Sequence, residues 1–391
     1  MPENSERLLI VYYATPGSAG AYLNDLLLSF DRAGYRNIDA AVNAYYQFPE
    51  IQRLGRLYRI FFRMTEKVVQ NPYYEKIWFQ YLRKPIRYLE LIFTYLWLLV
   101  FVMQSKVEIV NLHLIDDRWV TWGFFFILKK LGRKVYITTH DVKSHGHQTP
   151  TRRIYVFHNS NRILTHNQHS RDTLITDFNI DPEKIKVISY PLCDFRSILD
   201  QVQVCSLTEQ FRTENGGRRS YLFAGYIRKE KGIDILVDAW CQGMKADDMS
   251  VLYIVGEPTV DLSPYLQKTQ YCSNVIWIPR RVSDEELIAQ MQACDIVMLP
   301  YHPYANSALL RTSYVNANTP VIASDIPLFI DLVAPNAGIF FEMGNVESLI
   351  SALKRCGRID KSEFSKMGKI GREALVKNSE KLSSELAEGY F

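Results

Sequence analysis

Residues 221–240, YLFAGYIRKEKGIDILVDAW, run from an apolar stretch through a glycine into a turn that holds Arg228, Lys229 and Lys231 within four positions. The chain then resumes with the spacing of an amphipathic helix. An apolar strand, a glycine turn and a helix form the unit from which parallel α/β sheets are built, and such a unit delivers its turn to the carboxyl edge of the sheet, where these folds bind ligands. Cations gathered at that edge suit a phosphorylated ligand, because charge-assisted contacts to phosphate oxygens are the strong ones. A solvated, exposed basic turn is the competing reading of the same residues.

The alternation continues outward. Including the opening unit, the second half of the chain offers SYLFAGY (220–226), SVLYIVG (250–256), NVIWIP (274–279), DIVMLPY (295–301), TPVIAS (319–324) and AGIFFE (337–342) as strands separated by helical segments. Ser283 followed by Glu286 opens one of those helices as a capping box. After DIVMLPY a loop leads to a helix beginning near Ser307, with small residues at Ser307 and Ala308 that let a ligand approach the backbone. The free amides of a helix's first turn are a second anion-friendly element, although a plain capped helix explains the same residues. The first half repeats the theme with RLLIVYY (7–13), KVEIVNLHL (106–114), KVYITTHDV (134–142), NRILTH (161–166) and KIKVISY (184–190). Residues 195–219 show no continuous strand signal, contain Asn-Gly-Gly and separate the halves. We therefore expect domains at 1–198 and 199–375, with a carboxyl-terminal helix at 376–391 packing back toward the first.

The totals agree with a folded two-domain protein. The chain has 391 residues, 47% hydrophobic and 23% charged, with 46 Lys and Arg against 42 Asp and Glu. A net charge of +4 is too small to argue for nucleic acid as a partner. The six cysteines, at 193, 205, 241, 272, 294 and 356, form no CxxC pair and read as reduced thiols. MPENSERLLIVYY carries acidic residues and no apolar leader before the first strand, so a cytoplasmic location is expected. Residues 51–90 interleave Arg53, Arg56, Arg59, Arg63 and other cations with aromatics, and LIFTYLWLLVFVM (91–103) runs thirteen positions without a charge. Thirteen is short of the roughly 20 that span a bilayer, so basic and aromatic helices near 51–103 facing an anionic membrane surface are expected, with salt-sensitive binding. Ordinary solvated helices and one buried helix are the alternative.

Taken in order, FAGYIRKEKGIDILVDAW, VLYIVGEP and ACDIVMLPY through TPVIASDIPLFIDLV to AGIFFEMGNVESLISAL resemble the donor half of family 4 glycosyltransferases, and VEIVNLHLIDD and ITTHDVKSH resemble their acceptor half more loosely. The resemblance implies an α/β chain of two Rossmann-like doubly wound domains facing a central cleft, the GT-B architecture. It implies that Lys231, helped by Arg228, holds a donor diphosphate, that the amides of Ala308, Leu309 and Leu310 cap it, and that His140 faces the transferred sugar. The Gly17, Ser18, Ala19, Gly20 loop looks like the glycine-rich turn that admits a diphosphate or acceptor to the backbone. The chain departs from the family pattern at Tyr226, where an Arg is usual, and at Ala305 and Ser313, where a Glu pair is usual. Those departures leave the donor's identity and the stereochemistry open.

Asp141 and the Asp116–Asp117 pair end strands and suit a general base, although the pair equally suits a cap for a helix at Arg118. His140, His145 and His147 are spaced loosely for a metal, and no metal or other cofactor is expected. The expected activity is transfer of a sugar from a nucleotide-diphosphate sugar to a lipid-linked or lipid-anchored glycan by a retaining hexosyltransferase, peripheral to the inner face of the cytoplasmic membrane. A nucleotide-sugar epimerase of the same fold, or a non-catalytic partner subunit, are the alternatives.

Overall fold

A computed structural model of the chain describes residues 6–13, 18–35, 37–43, 56–65, 77–113, 118–140, 142, 149, 151–196, 198–302 and 308–390. The chain divides into two units, one of residues 1–191 with 381–391 and one of residues 192–380. In the first, β1 (Leu8–Tyr12), β2 (Ile38–Asn43), β3 (Leu57–Phe61), β4 (Ile109–His113), β5 (Lys134–Thr138), β6 (Arg162–Thr165) and β7 (Ile185–Val187) form one parallel sheet in the order β3-β2-β1-β4-β5-β6-β7. In the second, β8 (Arg219–Ala224), β9 (Ser250–Val255), β10 (Val275–Ile278), β11 (Ile296–Leu299), β12 (Val321–Ser324) and β13 (Gly338–Phe341) form another, also parallel, in the order β10-β9-β8-β11-β12-β13. The central strands are buried along their whole length, β1 as LLIVY and β11 as IVML, as sheets covered on both faces require. Each sheet order reverses once, between β1 and β4 and between β8 and β11, and a ligand crevice opens at such a switch point.

Two strands were not expected. β2, IDAAVN, is weak in β-branched residues and carries a charge, yet Asp39 is held by the Arg7 guanidinium at 2.7 Å and by the Arg56 amide at 3.1 Å. β3, LYRIF, falls in the segment expected to be basic and aromatic helices, and it is instead the edge strand beside β2. Pairing with β2 overrides a local sequence whose cations suggested a solvated helix.

The helix that follows, Ile77–Gln104, is 28 residues long, because it runs through Lys84, Arg87 and Glu90 before the uncharged stretch begins. Its portion Lys84–Gln104 is long and apolar enough to cross a membrane, which corrects the count made from the uncharged residues alone. Leu91, Tyr95, Leu98 and Val102, however, lie on one face in the core of the first sheet.

The segment read as a separator holds a helix, Gln201–Asn215. Asp200 caps its start by accepting from the Val202 and Gln203 amides, and Gly216, left-handed at φ 59°, ends it, so Asn-Gly-Gly is a helix stop. At the carboxyl end the helices Lys361–Glu380 and Leu382–Tyr390 are distinct, the first in the second unit and the second in the first. Tyr390 is buried there, with its ring 5.0 Å from Phe30 and its hydroxyl accepting from Asn111.

Candidate functional site

The opening unit is built as β8, a turn, a single 3₁₀ turn at Lys229–Lys231 and the helix Ile233–Gly243. Two glycines let it close. Gly232 has φ 71°, and a Cβ there would lie 1.7 Å from the Pro300 carbonyl oxygen, so the end of the 3₁₀ turn packs directly on the segment leaving β11. Gly256, at φ 143°, makes the same approach to the Gly225 carbonyl. The turn is tied down by the Ile227 amide, which donates to the Glu257 carbonyl at 3.0 Å, and by the His302 amide, which donates to the Glu230 carbonyl at 3.0 Å.

The competing reading, a solvated and exposed turn, fails for Lys231. Lys229 and Glu230 are exposed, but Lys231 is only 8% exposed. Its Nζ donates to the Tyr301 hydroxyl at 2.8 Å, stands 4.5 Å from the centre of that ring, and lies 3.6 Å from where a Cβ on Gly225 would be. Among the described residues no carboxylate pairs with Lys231 or with the half-buried Arg228, whose Nε is buried without a hydrogen-bond partner. Burying cations costs free energy unless they are paired, so two cations without a carboxylate partner among the described residues, at a sheet's switch point, have the chemistry that suits an anion.

β11 leads into the same switch point. Its helix begins at Ala308 and continues through Leu309 and Leu310 to Thr312, then widens into a π turn at Ser313–Ala317 that ends on left-handed Asn318. Ser313 is fully buried and its hydroxyl donates to the Thr319 carbonyl at 2.7 Å, closing that turn. Ser307 and Ala305 lie outside the described residues. The capping box at Ser283 is half realised: Ser283 accepts from the Glu286 amide at 3.1 Å, while the Glu286 carboxylate clamps Arg280 at 2.7 and 3.0 Å.

In the first unit the carboxyl ends of β1, β4, β5 and β6 converge on an aromatic cluster. His140 is half-buried, 4.7 Å from the Tyr22 ring and 5.2 Å from the His166 ring. His166 bridges the Tyr22 hydroxyl at 2.9 Å (Nε2) and the Ile188 carbonyl at 3.3 Å (Nδ1). A carbonyl only accepts, so a neutral His166 carries its proton on Nδ1 and takes the Tyr22 proton on Nε2. His113 is fully buried beside Asn111, and burial, then the neighbouring His140 and His166, hold it well below the usual histidine range. It is therefore neutral. The helix Ser18–Arg32 starts at the β1–β4 switch point, and Gly20 lies buried in its first turn. Gly17, Asp116, Asp117, Asp141, His145 and His147 lie outside the described residues, as does the side chain of Ser18. Among the described residues, no three His, Cys, Asp or Glu side chains are placed to share a metal ion.

Residues 218–357 match the family model described as glycosyl transferases group 1. Solved structures align with nearly the whole chain. A sucrose-phosphate synthase from Thermosynechococcus elongatus is 15% identical with a TM-score of 0.68, covering 98% of each chain. A glycosyltransferase from Rickettsia africae is 13% identical at 0.66, again over 98% of each. Anabaena HepE, solved in complex with UDP-glucose, is 15% identical at 0.63, over 97% of this chain and 99% of that one. Residues 218–357 thus match a glycosyltransferase family, and the chain as a whole has the GT-B fold of these structures. No curated protein matches it by sequence.

Within residues 218–357, the sequence pointed to Lys231 and Arg228 but not to Tyr301, whose contact with Lys231 depends on β8 pairing with β11. His113 and His166 were missed for the same reason. Each ends or follows an ordinary-looking apolar strand, and only the order of the sheet brings them beside His140.

Proposed function

We propose that this GT-B chain is a hexosyltransferase that moves one sugar from a nucleoside diphosphate sugar to a lipid-linked or lipid-anchored glycan, in assembly of a bacterial surface polysaccharide or glycolipid. The observation that carries the donor reading is the pair of cations, Lys231 and Arg228, which have no carboxylate partner among the described residues at the β8–β11 switch point. HepE's complex with UDP-glucose favours UDP as the first nucleotide to try.

In the reaction the acceptor oxygen bonds to the anomeric carbon as the bond from that carbon to the diphosphate oxygen breaks. Lys231, Arg228 and the first-turn amides at Ala308, Leu309 and Leu310 neutralise the charge that develops on the leaving diphosphate. This assigns the electrostatic work to the protein, with no metal or other cofactor, so activity should survive a chelator. We assign retention of configuration: the departing phosphate takes the acceptor proton on the same face, and His140 orients the sugar. If the product is inverted, Asp141, Asp117 or Asp116 acts as the base instead. The enzyme works at the cytoplasmic face of the membrane.

Melting-temperature shifts with UDP, GDP, ADP and CMP test the donor, since a ligand that binds only the folded chain stabilises it by mass action. One diphosphate should raise the midpoint and CMP should not. Turnover of the sugar nucleotide without acceptor would identify an epimerase, and binding without transfer to any glycan acceptor would identify a partner subunit. His140→Ala should lower kcat far more than it weakens nucleoside diphosphate binding. Proton NMR of the product's anomeric signal decides retention against inversion.

A further inference from the structure

The helix Ile77–Gln104 is apolar on both faces. Leu91, Tyr95, Leu98 and Val102 enter the core, while Leu89, Phe93, Leu96, Trp97, Val100 and Met103 recur at helical spacing on the outside. Phe93 is 67% exposed, Leu96 53% and Trp97 42%. The outer stripe is not isolated. Tyr88 lies 6.0 Å from Trp119 on the helix Trp119–Lys130, and Trp122 of that helix stacks on Phe126 at 5.6 Å and meets Tyr155 of the helix Thr151–Asn159 at 5.9 Å. The three helices are neighbours, and exposed apolar surface spread over them marks an interaction site.

The charges around it choose the partner. These three helices carry seven Lys and Arg and one acid, Glu90. Glu90 is already engaged, accepting from the backbone amide and the hydroxyl of Thr65. Lys84, Lys130 and Arg152 are exposed, and the Lys130 ammonium sits 5.5 Å from the Phe126 ring. Aromatic and aliphatic side chains flanked by cations match an anionic headgroup layer over acyl chains. The inner face of the long helix is committed to the sheet, so the helix lies along such a layer and does not cross it.

We infer that the outer stripe of Ile77–Gln104, with the neighbouring aromatics, docks the first unit on an anionic bilayer by inserting Phe93, Leu96 and Trp97 at the boundary between headgroups and acyl chains. Membrane binding then rests on apolar insertion, with the cations adding preference for anionic lipid, and it is independent of the donor reading.

Flotation of the full chain with phosphatidylcholine vesicles, with and without phosphatidylglycerol, tests this without any sugar nucleotide. The wild-type chain should float with anionic vesicles, and a measurable fraction should remain bound at about 1 M salt, where charge is screened within about 3 Å. The Phe93→Glu, Leu96→Glu double variant should bind on the order of tenfold more weakly at either salt. The Lys130→Ser, Arg152→Ser variant should lose roughly fivefold per cation at low salt and little at high salt. Both variants should keep the wild-type melting temperature, since all four positions are exposed. Failure of the wild-type chain to float with anionic vesicles, or equal flotation of the Phe93→Glu, Leu96→Glu variant, would overturn the inference. A wild-type oligomer that this variant converts to monomers, with no vesicle binding, would do so in favour of an interface between copies of the chain.

Discussion

At the scale of single residues, the most informative side chains are those that burial leaves without an ordinary partner. Lys231 could be found from sequence because a cation after a glycine turn stands out. Its burial could not, because that depends on Pro300 and Tyr301 arriving from another strand. His113 has a consequence for stability. Burial depresses its pKa, so the folded chain holds it neutral while the unfolded chain takes up a proton near the ordinary value of about 6.5. As pH falls below about 6.5 the unfolded state binds more protons, and stability drops toward a slope of about 1.4 kcal/mol per pH unit until His113's own lowered pKa is passed. Chemical denaturation between about pH 7 and 5 should therefore show a steeper loss for the wild-type chain than for His113→Gln. Parallel profiles would mean that His113 is not the group being protonated.

At the scale of elements, all six strands of the second sheet were readable because each is a short apolar run bounded by turn residues. β2 and β3 were not, because an alanine-rich strand with a buried aspartate and an edge strand with an exposed arginine take their conformation from their neighbours. The helix Gln201–Asn215 was passed over because its sequence is polar and few of its residues are buried. The turn that carries Lys231 depends on Gly232. Gly232→Ala must fit a Cβ against the Pro300 carbonyl in a left-handed conformation, and should cost about 2 kcal/mol or more. Ser283→Ala, which removes only a cap from a helix elsewhere in the unit, should cost about 1 kcal/mol and leave nucleoside diphosphate affinity unchanged. Urea denaturation and ligand titration on the two variants separate these outcomes, and an unperturbed Gly232→Ala variant would contradict the close packing of the turn.

At the scale of the molecule, the chain's last helix completes the first unit, and Tyr390 is its anchor between Phe30, Tyr136 and Asn111. Tyr390→Ala should destabilise that unit by about 3–5 kcal/mol, visible as a lowered melting transition. The second sheet and five strands of the first were legible because periodicity and length are local signals. What each sheet gathers at its switch point was not, since it follows from strand order, and that is where the donor claim lies. Calorimetric titration of UDP into the wild-type chain and into Lys231→Met, with folding of the variant checked by its melting curve, tests that claim most directly. Loss of a charged hydrogen bond worth about 1.5–3 kcal/mol predicts affinity weaker by about 10- to 150-fold in a folded variant. Equal affinity in the two proteins would contradict it.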